Sequence, residues 1–168
     1  MEMVVRDFRP DDAPAILEIQ RAAPEMAQWQ AADYGNLVLK PGGIVLVVES
    51  TAAGGVLGFL AAQALGEEAE IQNLAVRQDH RRRGVARALL HEVHHRLAAQ
   101  PVGRIFLEVR VSNLPARNLY AAFGYSECGL RKRYYAIDGE DALVLGLRLS
   151  AVDPEPGRPR RESEADFR

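Results

Sequence analysis

The stretch Arg81–Arg87, RRRGVAR, sits between a strand that ends near Val76 and the strongest helix in the chain, Gly84 to Ala99. The first turn of a helix carries free N–H groups and the positive end of the helix dipole, so an anion settles there readily. Gly84 has no Cβ and lets the backbone come close to a phosphate, and Ala86 is small in the same sense. Arg82, Arg83 and Arg87 bring positive charge to the same point. A solvated basic helix start explains the same local facts, so the segment alone leaves both readings open.

The remaining elements follow from periodicity and punctuation. Met3 to Phe8 reads as a strand. Pro10 with Asp11 and Asp12 opens a helix whose apolar positions are Ala15, Ile16, Ile19 and Ala22, and Pro24 ends it. A second short helix is expected around Met26 to Tyr34. Strands follow over Ile44 to Glu49, Val56 to Ala64 and Glu70 to Val76. In the last of these, alternation puts Ile71, Asn73 and Ala75 on one face and Gln72, Leu74 and Val76 on the other. After the helix at 84–99 come a strand over Arg104 to Val109, a helix opened by Ser112, Asn113 and Pro115, and a closing strand pair over Tyr125 to Leu130 and Ala142 to Leu149. This order implies an α/β (α+β) fold, a mixed sheet with helices on both faces.

One domain over residues 1–150 accounts for the chain of 168 residues. The tail at 153–168 is proline, glycine and mixed charge with almost nothing apolar to bury, so it is expected to be disordered. A net charge of -2 argues against a nucleic-acid partner. The start, MEMVVRDFRPDD, lacks an apolar core of signal-peptide length, and no run reaches the ~20 apolar residues of a membrane span. A cytoplasmic protein, with a monomer as the expected state, follows. The lone cysteine, Cys128, is expected to be a buried structural thiol.

The pattern Arg-x-x-Gly-x-Ala after AEIQNLAVRQDH resembles the acetyl-CoA signature of the GNAT superfamily of N-acetyltransferases. The segment RIFLEVRVSNLPARNLYAAFGYSECGLRKRYY is similar to the second half of the bacterial ribosomal-protein alanine N-acetyltransferase family, and the likeness runs from about Val56 to Leu149. The resemblance implies a GNAT-like, mostly antiparallel sheet and an acetyl-CoA cosubstrate with no metal. It implies that Leu74, Ala75 and Val76 end the strand that pairs with the pantetheine arm, and that Arg82, Arg83, Gly84, Val85, Ala86 and Arg87 form the pyrophosphate loop. Asn113 corresponds to a cofactor contact, Glu108 to the general base and Tyr120 to the general acid. Ala86 stands where glycine is common, and Ala136 replaces a proline often found after the tyrosine pair.

The residues themselves point the same way in part. Glu108 is an acid inside an apolar strand, IFLEV, where burial raises its pKa unless a partner compensates. Tyr120 lies two helical turns after Asn113, near the same face. The same helix as the basic loop contains HEVHH, the His-Glu-x-x-His pattern of zinc hydrolases. Its apolar stripe is Ala86, Leu89, Leu90, Val93 and Leu97, so His91 and His95 should face solvent, away from any cleft.

Three functions are therefore carried forward. The first is acetyl transfer to the α-amino group of a protein N-terminus, with a ribosomal protein as acceptor. The second is acetylation of a small-molecule amine, and the third is a non-catalytic acyl-CoA-binding module; a zinc hydrolase built on HEVHH remains behind them as a fourth. The acceptor groove is expected from 21–34 and 131–141, with Trp29, Tyr134 and Tyr135 as wall residues.

Overall fold

The computed structural model describes residues 2–24, 26–52 and 54–149. The disorder expected at 153–168 lies outside them. In chain order the elements are β1 (Met3–Asp7), α1 (Ala13–Arg21), α2 (Ala31–Leu39), β2 (Gly43–Ser50), β3 (Val56–Leu65), β4 (Glu68–Val76), α3 (Val85–Ala98), β5 (Arg104–Arg110), α4 (Leu114–Ala122), β6 (Ser126–Arg131) and β7 (Ala142–Arg148). Short 3-10 turns at Pro10–Asp12 and Gln78–His80 lead into α1 and towards α3.

The strands form one sheet in the order β1-β2-β3-β4-β5-β7-β6. Only β4 and β5 run parallel; the other neighbours are antiparallel. This is the mostly antiparallel mixed sheet expected from the sequence. A core of Leu46, Leu60, Leu89, Leu90, Leu97 and Ile105 fills the face under α3 and α4. Ile16, Ile19, Tyr34, Leu37, Val47 and Phe59 fill the face under α1 and α2. Being covered on both sides explains why β2 reads as the unbroken apolar run IVLVV.

Four expectations need correction. The second helix is Ala31–Leu39, not Met26 to Tyr34. The Gln30 N–H donates to Asp33 Oδ2 at 2.7 Å and fixes a later start. The Gln28 side chain meanwhile donates to the carbonyls of Gln20, Ala23 and Met26, which holds that stretch as a loop.

In β4, Ile71 and Asn73 do not share a face. A bulge at Gln72, where Ala61 pairs with Asn73 but Ala62 pairs with Ile71, inverts the alternation. Ile71 packs in the α3 core, and Ala75 in the α1–α2 core. On α3, Val85 rather than Ala86 opens the buried stripe. Cys128 is exposed, because β6 is an edge strand exposed along its whole length.

Candidate active site

The sheet splits where the bulge occurs. β4 is in register with β5 only from Glu68 to Ile71, opposite Arg104 to Leu107. From Asn73 to Val76 it pairs with β3 on one edge, and no strand among the described residues takes the other edge. β5 continues through Glu108 and Arg110, held by β7 on its far side. Between the diverging strands lies a cavity of about 460 Å³. Leu74, Ala75 and Val76 line one wall; Leu107, Glu108, Val109 and Arg110 line the other. A free strand edge offers N–H and C=O groups to an extended ligand.

The basic loop leads from this edge into α3. Arg82 (φ 59) and Gly84 (φ 87) are both left-handed. Such turns aim successive backbone N–H groups at one point, a concavity that suits an anion. The first helical bond runs from the Ala88 N–H to the Gly84 carbonyl at 2.9 Å, so the N–H groups of Val85, Ala86 and Arg87 lie ahead of the helical ladder.

The side chains of this loop do different things. Val85 is buried against the sheet: a Cβ placed on Gly58 would come within 2.8 Å of its Cγ1. It can therefore serve an anion only through its N–H. Arg82, Arg83 and Arg87 are exposed, and the Arg87 guanidinium lies 5.3 Å from the Phe123 ring centre. A Cβ on Gly84 would meet only Met3 Cε, at 3.7 Å, so glycine is required there by its backbone angle and not by crowding within the protein.

Arg81 was not among the expected binding residues. Its Nε donates to the Val76 carbonyl at 3.4 Å, and it lines the cavity. Its place in the same basic run was the available signal.

Glu108 and Tyr120 both line the cavity, as does Asn113. The Asn113 side chain also caps α4, accepting from the Ala116 N–H at 3.2 Å. Tyr120 is buried and packs edge-on against Tyr125, with ring centres 5.6 Å apart. Burial raises its phenol above the usual value, so it stays protonated at neutral pH. Glu108 is not at a sheet edge. Its side chain is 14% exposed, and Arg131 Nε lies 2.6 Å from its Oε1. The Tyr134 phenol is pushed up to about 12, first by its hydrogen bond to the Glu108 carboxylate and then by burial.

The acceptor-side walls are held by polar networks that the sequence did not disclose. Arg110, buried, places Nη1 2.7 Å from Asp138 and 2.8 Å from Glu140. Its guanidinium lies 3.9 Å from the Tyr135 ring centre. Glu140 also accepts from the Ser112 N–H at 2.8 Å; the Ser112 side chain first, then Arg110 and this N–H, hold its carboxyl down at about 2. These contacts fasten the β6–β7 loop, with Tyr134 and Tyr135, over the cavity.

On the other side the buried Gln20 amide accepts from the Tyr34 hydroxyl and donates to the Trp29 carbonyl at 3.0 Å. Asn73, beside the bulge, donates to the Ala27 carbonyl at 3.2 Å. Trp29, Tyr134 and Tyr135 do line the cavity, joined by Met26 and Ala27.

On α3, His91 and His95 are exposed. The His91 ring is not simply solvated, since it lies 4.9 Å from Phe123. His94 is partly buried, and its Nε2 hydrogen-bonds the Tyr125 hydroxyl at 2.8 Å. Burial, and then the charge of His91, depress His94 to about 4. No cluster of three or more potential metal-ligating side chains occurs among the described residues, and no helix there is long and apolar enough to cross a membrane.

With this geometry in hand, the relatives are informative. The sequence profile of the acetyltransferase (GNAT) family matches residues 5–125. The Escherichia coli [ribosomal protein bS18]-alanine N-acetyltransferase is 33% identical over 148 residues, covering 87% of this chain and 97% of that one. An N-alpha-acetyltransferase of Sulfurisphaera tokodaii is 30% identical over 160 residues, covering 88% and 94%. Among solved structures, the Escherichia coli ribosomal-protein-S18-alanine N-acetyltransferase superposes with a TM-score of 0.78 at 25% identity, covering 99% of this chain and 100% of that one. Arabidopsis thaliana NAA60, solved in complex with acetyl-CoA, shares the fold with a TM-score of 0.77 at 21% identity, covering 88% and 99%. The split sheet, the left-handed basic loop at the start of α3 and these likenesses agree: the chain belongs to the GNAT family of acetyltransferases.

Proposed function

We propose that this protein transfers the acetyl group of acetyl-CoA to the N-terminal α-amino group of a protein, with the N-terminal alanine of a ribosomal protein as acceptor. The observation that carries this reading is the split between β4 and β5: a carboxylate, Glu108, and a protonated phenol, Tyr120, line the same cavity as an unpaired strand edge. The open edge at Leu74–Val76 suits the amides of a pantetheine arm, and the loop Arg82–Arg87, with Arg81, suits its pyrophosphate. Asn113, at the mouth of α4, completes that wall. The named relatives of Escherichia coli and Sulfurisphaera tokodaii support a protein N-terminus as acceptor, and a ribosomal acceptor would place the reaction in the cytoplasm.

The thioester supplies an activated acetyl group; the chain's residues manage protons and charge. An α-ammonium has a pKa of ~8, so at neutral pH a base must remove its proton before the nitrogen can attack. Glu108 accepts that proton, directly or through a water. A backbone N–H of the unpaired edge meets the negative charge that develops on the carbonyl oxygen. Tyr120 gives its proton to the departing thiolate and takes the second proton of the nitrogen in exchange, so that a neutral amide and a thiol leave. Glu108 and Tyr120 together favour this reading over a module that only binds acyl-CoA.

The test is mass spectrometry of alanine-initiated peptides incubated with the protein and labelled acetyl-CoA. Acetyl should appear on the terminal amine and spare lysine, whose pKa of ~10.4 leaves far less neutral nucleophile. Label mainly on lysine, or only on small amines, would overturn the assignment.

A further inference from the structure

We propose that the Arg131 guanidinium occupies, in the free protein, the place that the acceptor's α-ammonium takes, so that acceptor binding exchanges one cation for another at Glu108. The inference rests on the reading of Glu108 as the proton acceptor. Arg131 is the last residue of β6, and its side chain reaches across β7 to β5, where Nε sits 2.6 Å from Glu108 Oε1. The two partners are unequally held. The Glu108 side chain is 14% exposed, whereas that of Arg131 is 59% exposed. The anion is therefore fixed in the cavity wall while the cation can swing into water. Tyr134 closes the set: its hydroxyl bonds Glu108, and its ring centre lies 5.6 Å from the Arg131 guanidinium carbon.

Glu108, and not Arg131, stands at a boundary. Glu108 lines the cavity between β4 and β5, and Glu108 and Arg131 together line a second one of about 350 Å³, which carries Glu68 and Glu70. Outward movement of Arg131 frees the Glu108 oxygen that faces it.

An ammonium is a compact cation with three donors and can satisfy the same carboxylate. Once it has replaced Arg131, one N–H proton passes to Glu108, and the nitrogen lone pair is released for attack on the thioester carbon. As the C–S bond breaks, Tyr120 protonates the thiolate and takes the second proton of the nitrogen in its place, which leaves a neutral amide and a thiol. The amide has no charge with which to hold Glu108, so once Glu108 has passed its proton to water the guanidinium returns to the carboxylate and helps expel the product. A blocked or neutral N-terminus cannot displace Arg131 at all.

The experiment compares Arg131→Met and Arg131→Lys with wild type by steady-state kinetics on a free-amine peptide. A partly exposed ion pair is a weak competitor, so Arg131→Met should lower the acceptor KM by about two- to fivefold. The acetyl-CoA KM and the melting temperature should stay at wild-type values, since the side chain lies mostly in water. Arg131→Lys should keep the wild-type acceptor KM, because its ammonium also pairs with Glu108. In a Glu108→Gln background, Arg131→Met should no longer change the acceptor KM. An acceptor KM that rises or stays level in Arg131→Met, or a kcat loss at constant KM, overturns the exchange. If Arg131→Met lowers KM but Glu108→Gln keeps wild-type kcat, the exchange stands and only the base assignment fails.

Discussion

The β4 wall of the cavity and the β5 wall are held together by different kinds of bond. On the β4 side the groups that face the opening are largely main-chain: the edge from Asn73 to Val76 that no described strand takes, with Arg81 on the Val76 carbonyl, and the N–H groups of Val85, Ala86 and Arg87. On the β5 side they are side chains anchored by other side chains far away in sequence, Glu108 by Arg131 and Tyr134, and the β6–β7 loop by Arg110. On the function proposed above, the wall made of backbone would bind what is common to every turnover. A wall made of side chains can be retuned for a different acceptor without disturbing the first. Substitutions on the β5 side should therefore alter chemistry and acceptor use, and substitutions on the β4 side should alter cofactor affinity.

The sharpest break comes at Glu108. Glu108→Gln should lower kcat by roughly 10²–10⁴, the range for a lost general base, and the deficit should shrink as pH rises because more amine is already neutral. Acetyl-CoA affinity, measured by calorimetry, should be unchanged. Near wild-type kcat at pH 7 with acceptor binding intact would remove Glu108 from the chemistry.

Arg110→Met should come next. It leaves Asp138 and Glu140 without their shared cation and frees the loop that carries Tyr134 and Tyr135. We expect the acceptor KM to rise about tenfold, equivalent to about 1.4 kcal/mol, with acetyl-CoA binding unaffected. Equal damage to both substrates would show that the two walls are not independent.

On the β4 side, Gly84→Val forces a β-branched residue to a φ of 87 and sets a Cβ beside the turn proposed to hold the pyrophosphate. Acetyl-CoA affinity should fall about tenfold, and the strain itself is of order 1–3 kcal/mol. Gly84→Asn tolerates the angle better, so it should recover the melting temperature but not the affinity. Recovery of both would mean that the glycine serves only the turn.

The smallest effect concerns α3 itself. His94 is held at about 4 in the fold against an ordinary 6.5, so the unfolded chain binds the extra proton first as pH falls. The stability it contributes is present in full above pH 6.5 and is lost as pH falls from 6.5 towards 4. His94→Gln should flatten the melting temperature over that window by a few degrees, and an unchanged pH profile would place the histidine in water.

The same contrast explains what the sequence disclosed. Arg81–Arg87 and the α3 stripe are local signals, a glycine and a period of 3.6, and both were legible apart from the choice of Val85 over Ala86. Glu108 stood out as an acid in IFLEV. Its partner did not, because Arg131 lies twenty-odd residues away and reaches it across an intervening strand. The bulge at Gln72 carries no glycine or proline to mark it, so plain alternation misplaced Ile71. The Gln20–Tyr34–Asn73 network joins α1, α2 and β4 through amides that look like ordinary surface residues in a one-dimensional reading. Cys128 was misjudged because burial depends on which strand ends up at the edge.

The parallel seam between β4 and β5 has four registered pairs, Glu68 to Ile71 against Arg104 to Leu107, and it closes across the whole of α3. So short a ladder, closing so long a loop, contributes few of the hydrogen bonds that hold the sheet together. In its sheet hydrogen bonds the molecule is two antiparallel halves, β1–β4 and β5–β7, joined by a short suture, while the core under α3 runs across both. A ligand lying along the free edge of β4 extends the suture with hydrogen bonds that the chain itself does not make. By mass action the thermal stability of the protein then becomes a readout of the acetyl-CoA concentration around it.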